Sequence, residues 1–179
     1  MARKRKPKVV QVELIPREHE GKVRQPYQIM EALVDKHHDH LESAKIALAW
    51  RKGWKPNPDG HLQLGKAKKS TDLDREMHVF DFVILLNFEV WNKADFTREQ
   101  MEALIDHELC HCDVSKDKTD EVKMDSLGRP IWRIRKHDVE EFQEVIARHG
   151  AWTLNLQSFA QMLDQAPQPL LETAGAAGA

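Results

Sequence analysis

From Val79 to Trp91 the chain is almost continuously apolar: Phe80, Phe82, Val83, Ile84, Leu85, Leu86, Phe88 and Val90 leave little that could face water on either side. Such a run suits a strand buried on both faces, and it is expected at the centre of the core. A helix signal follows. Thr97 and Gln100 have the Thr-x-x-Gln spacing of a capping box, in which the hydroxyl accepts the N3 amide and the glutamine returns to the cap. Met101, Leu104, Ile105 and Leu109 then give the helix an apolar side to bury, and its expected span is Arg98 to about Asp113. The chain has 179 residues, 41% hydrophobic and 31% charged, enough for one good core, so strand and helix are expected in one domain of α+β class.

Elsewhere the signals are local. Val9 to Ile15 reads as a strand or as a sticky spot in a disordered arm. Pro26 fits a first helical position, and Tyr27, Met30, Val34, His37 and Leu41 recur at spacings of three and four, which predicts a helix from about Pro26 to Glu42. Ala44 to Trp50 and His61 to Leu64 read as two strands joined by the turn-rich Lys55 to Gly60. Val122 to Met124 and Ile131 to Ile134 flank Asp125 to Pro130, as in a hairpin whose loop contains Gly128. A helix from about Asp138 to Arg148 should close at Gly150, and an apolar-periodic piece spans Thr153 to Leu163.

Chemistry enters with His107-Glu108-Leu109-Cys110-His111. Residues four apart on a helix share a face, so His107 and His111 can offer two imidazoles to one zinc ion per chain. Glu108 falls beside that face, where its carboxylate can act as general base toward a metal-activated water. A catalytic zinc usually takes three protein ligands, and His137 is the expected third, because a hairpin between would let the chain return to the metal. Glu140 and Glu141, three and four residues further along the expected helix, are its rivals.

The pair of segments His107-Glu108-Leu109-Cys110-His111 and His137-Asp138-Val139-Glu140-Glu141-Phe142 resembles SprT-like zinc metallopeptidases, with Asp138 where their pattern has glycine. More closely, the stretch from about Val79 to Trp152 resembles the phage metallopeptidase family, with its HELxHC and later HDxxEF segments. The resemblance implies a zincin-like minimal metallopeptidase fold, with a small mixed sheet packed on the HExxH helix. It also implies zinc held by His107, His111 and His137, and catalysis by Glu108 on a protein or peptide substrate. The expected parts are a basic, partly disordered arm over 1–22, the metallopeptidase domain over 23–165, and a disordered tail over 166–179.

Other features are given plainer readings. His37-His38-Asp39-His40 points in several directions on a helix and is read as a solvated end; Cys110 and Cys112 are read as small buried side chains. A Cys-x-Cys pair cannot staple distant segments, so a reducing cytoplasm, a bacterial host's if the chain is phage-encoded, is the expected setting. No apolar run suggests a membrane span, and the formal net charge of -2 argues against a protein that coats nucleic acid. Weak, salt-dependent nucleic-acid contact through Arg3 to Lys8 is the exception. Two further functions stay open: a repressor-cleaving protease resembling the ImmA/IrrE group, with glutamate as third ligand, and a non-catalytic, zinc-stabilised binding protein.

Overall fold

The protein was analysed as a computed structural model that describes residues 11–17 and 25–167. The chain divides into two units, 1–135 and 136–179. Most of the expected basic arm and the tail beyond 167 lie outside the described residues.

In the first unit, β1 (Val12–Leu14) is followed by α1 (Gln25–His37), a single 3₁₀ turn over Asp39–Leu41, and β2 (Ile46–Arg51). Proline near its start and a buried face of Pro26, Tyr27, Ile29 and Met30 make α1 a helix that packs inward, where the Tyr27 hydroxyl accepts the Leu48 amide at 2.9 Å. The helix stops at His37, short of the expected Glu42. Leu41 still reaches the core, because the 3₁₀ turn delivers it there.

Next come β3 (Gly65–Lys69), α2 (Asp72–His78) and β4 (Phe82–Asn87). The sheet order is β1-β2-β4-β3, with β2 parallel to β4 and the other two pairings antiparallel. β2 and β3 are therefore separated by β4. The expected strand over His61 to Leu64 does not form; β3 starts after it, at Gly65, as an edge strand whose Lys66, Lys68 and Lys69 are exposed. Phe82, Ile84 and Leu86 are fully buried, so the apolar run does supply the core strand.

That strand is shorter than its composition suggests. Val79, at φ +65°, closes α2 instead of opening the strand. At the far end the Asn87 side chain accepts the Val90 amide at 3.1 Å and donates to the Gln63 carbonyl at 2.9 Å. The chain then turns into α3 (Phe88–Trp91), whose Trp91, with Phe88, packs against Trp50.

Thr97 and Gln100 form the expected reciprocal cap at the start of α4 (Arg98–His111). The helix ends two residues before Asp113, because Cys112 is already extended and opens β5 (Cys112–Val114). The partner of β5 is β6 (Trp132–Ile134), antiparallel. The expected hairpin survives only as a Met124–Pro130 bridge around Gly128, and Val122 to Met124 is not a strand. The ladder is instead built on a segment that the sequence hides at the end of a helix.

The second unit holds α5 (Gln143–His149) and α6 (Leu154–Gln165). Residues 138–142 are not helical, which corrects the expected start at Asp138. Glu141 folds locally instead: its carboxylate accepts the Phe142 amide at 2.8 Å and the Trp152 indole N–H at 3.0 Å. Gly150 closes α5 at φ +64°, and Thr153 caps α6 by accepting the Leu156 amide. Among the described residues no helix is long and apolar enough to cross a membrane. The molecule is thus mixed α+β, with small sheets.

Candidate metal centre

The last turn of α4 carries the two histidines and the glutamate of the candidate site. Its inner face is anchored by Ile105 and Leu109, both fully buried, which fixes the direction of the neighbouring side chains. His107 and His111 stand one turn apart with ring centroids 5.0 Å from each other and planes at 82°. Since a metal–imidazole bond is about 2.0–2.1 Å, two rings at this spacing can reach one ion.

His111 is oriented from behind. Its Nδ1 lies 2.7 Å from the Arg135 carbonyl oxygen, and the Arg135 amide donates to the His111 carbonyl at 2.8 Å. A carbonyl only accepts, so Nδ1 carries the proton and Nε2 keeps the lone pair that binds a metal.

Glu108 is only 3% exposed. Burial pushes its carboxyl above the ordinary glutamate range, against the opposing pull of the Ala67 amide and the charges of His111 and Lys66. Of its two oxygens, Oε2 is buried and has no hydrogen-bond partner in the protein. The residues opposite belong to β3. The Asn87 amide donates to the Leu64 carbonyl and the Ser70 amide to the Asp81 carbonyl, so antiparallel alternation turns the Gly65 and Ala67 backbones away from β4. The Ala67 amide bonds to Glu108, and at Gly65 even a Cβ would lie 2.5 Å from Glu108 Oε1. Neither residue was singled out from the sequence, because Gly-Lys-Ala-Lys-Lys carries no apolar alternation.

The first unit therefore brings His107, Glu108 and His111 together. His137 belongs to the second unit, which begins at Lys136, and its Nδ1 lies 3.9 Å from Glu140 Oε1. Cys112 is buried, with its thiol pushed up to about 12, first by burial.

The profile of the putative phage metallopeptidase family matches residues 19–166. The chain belongs to that family. No curated protein and no solved structure matches it. A phage metallopeptidase calls for a metal ion and a protein substrate, and the donor set fits: two imidazoles reach one point, beside a buried carboxylate oxygen that no protein group satisfies. Such an oxygen costs free energy unless something else bonds to it, and a water at the metal centre would do so.

Proposed function

We propose that this phage metallopeptidase is a zinc peptidase in which His107, His111 and His137 hold the ion and Glu108 moves the proton. The observation that carries the reading is the Glu108 carboxylate: buried, propped by β3, and left with one oxygen unpartnered beside two imidazoles one helical turn apart. A structural zinc site has no use for such a group.

Nitrogen donors suit zinc, which when bound supplies Lewis-acid polarisation of a carbonyl and a more acidic water. Glu108 accepts a proton from the attacking water as its oxygen bonds to the scissile carbonyl carbon. The same carboxyl then gives that proton to the amine as the C–N bond breaks. Burial raises the proton affinity of its carboxyl in the metal-free protein, and the charge of a bound ion would act in the opposite direction.

His137 is favoured as third ligand by the path of the chain. Arg135 is tied to His111 through both its amide and its carbonyl, and a residue two positions on lies within about 7 Å of it. Of the two glutamate rivals, Glu141 has both oxygens engaged by the Phe142 amide and the Trp152 indole, which supports His137 over it. A substrate strand would add along β3, the edge that borders Glu108, because extended peptides commonly bind by strand addition.

The test is Glu108→Gln with metal content measured in parallel. The variant should keep its zinc and fold and lose at least about two orders of magnitude in the rate of cleaving any verified substrate, self-cleavage included. Equal rates would sink the mechanism. Zinc retained in full by His137→Ala but lost from Glu140→Ala or Glu141→Ala would reassign the third ligand.

A further inference from the structure

Two features that the sequence presents as unrelated, and as bland, meet in the first unit. The His37 to His40 run is a solvated helix end in all but one residue: α1 stops at His37, and His37, Asp39 and His40 are exposed, but His38 is 5% exposed. Its backbone is held by a bond from its amide to the Val34 carbonyl at 3.0 Å and by the Leu41 amide at 2.8 Å. Its ring points at α4, with Nε2 2.6 Å from Asp106 Oδ1. Cys110 is exposed rather than buried. It stands one turn beyond Asp106 on the same helical face, and His38, Asp106 and Cys110 each offer a donor atom within 4.8 Å of the others.

We propose that His38, Asp106 and Cys110 form a second metal site, separate from the His107–His111 pair, for a borderline divalent cation such as zinc. One imidazole nitrogen, one carboxylate oxygen and one thiolate are a mixed donor set that zinc accepts in tetrahedral geometry, with a fourth position left to water. Positions 106 and 110 each precede 107 and 111 by one residue, about 100° around the helix, so the two donor pairs face different directions. A buried histidine seeking only a hydrogen-bond acceptor would be satisfied by Asp106 alone, whereas a metal ion calls for the third donor atom that Cys110 places within 4.8 Å.

Zinc bonds of about 2.0–2.3 Å hold ligands roughly 3.5 Å apart, so side-chain rotation would open the His38–Asp106 pair from 2.6 Å and bring the Cys110 sulfur, within 4.8 Å of both, to the same ion. The ion takes the place of the proton between His38 and Asp106, which the neutral ring keeps on Nδ1, and the Cys110 thiol proton leaves to solvent. Asp106, at 43% side-chain exposure, gives the ion a way in. Once bound, the ion would tie the end of α1 to α4. Cys112 takes no part, since it is buried, with its S–H directed at the Glu108 carbonyl at 3.5 Å.

The full chain loaded with cobalt(II) tests this independently of the peptidase reading, because only a thiolate ligand gives a near-ultraviolet sulfur-to-cobalt charge-transfer band. The wild type should bind two equivalents and show the band. Cys110→Ser, at an exposed position, and Asp106→Asn should each bind one equivalent, and Cys110→Ser should lack the band. His107→Ala/His111→Ala should bind one equivalent with the band intact. A wild type with one equivalent and no band, or a band that survives Cys110→Ser, overturns the second site and leaves the peptidase reading standing. A band lost with Cys110→Ser, alongside an equivalent count unchanged in His107→Ala/His111→Ala, upholds the second site and removes the first.

Discussion

A methyl group at position 65 would stand 2.5 Å from Glu108 Oε1 and 2.9 Å from its Cγ and Cδ, closer than packed atoms tolerate. Gly65→Ala should displace the carboxylate: proteolysis, compared at equal metal content, should fall by about tenfold or more, while overpacking costs the fold roughly 1–3 kcal/mol. Unchanged turnover would show that the close approach is incidental. Glu108 also sets a pH dependence in the metal-free protein. Its carboxyl is raised by burial, so the native state holds the proton more tightly than the unfolded chain does. The cost of burying the ionised group is therefore absent below the ordinary glutamate range and grows as pH rises through the folded value. Metal-free Glu108→Gln should gain on the wild type in denaturant midpoint at neutral pH, and the gap should close on acidification; a gap constant with pH would contradict this. His107, Glu108 and His111 were legible because helical spacing encodes them locally. Gly65 was not, because its significance is a contact with a distant helix.

The helix that carries the imidazole pair is capped far from that pair, at Thr97. Thr97→Ala should lower stability by about 1 kcal/mol, within the 0.5–2 usual for such caps, without changing metal stoichiometry. Loss of metal along with the cap would mean that α4 frays through to its last turn. This cap was readable because both partners sit three residues apart. Helix α2 was missed although Thr71 and Asp74 form a similar box, because α2 buries no residue and so has no apolar periodicity to display. The end of β4 was misplaced for the opposite reason: Phe88, Val90 and Trp91 are as apolar as the strand, and only the Asn87 side chain turns them into a helix. β5 was absorbed into α4 because its partner, Trp132–Ile134, lies beyond a loop excursion.

For the molecule as a whole, ligation by the native state alone should make stability depend on zinc. Free zinc at a hundred times its dissociation constant adds about 2.7 kcal/mol per site. A chelator should lower the melting temperature of the wild type and lower that of His107→Ala less; equal shifts would place the stabilising ion elsewhere. The family was legible in the sequence, because it is written in the two short segments around His107 and His137. The sheet order was not, since β4 reaches its place between β2 and β3 through pairings that no local pattern announces. The edge strand that results has a bearing on how the protein lives at high concentration. A β edge beside the candidate metal centre would offer a second copy a place to zip on, the first step toward fibres. Lys66, Lys68 and Lys69 line this edge, so two copies meeting there would set ammonium against ammonium, whereas a foreign chain with carboxylates would be drawn in. If a substrate strand adds there as proposed, the charges that would draw in an acidic chain would also oppose the pairing of two copies.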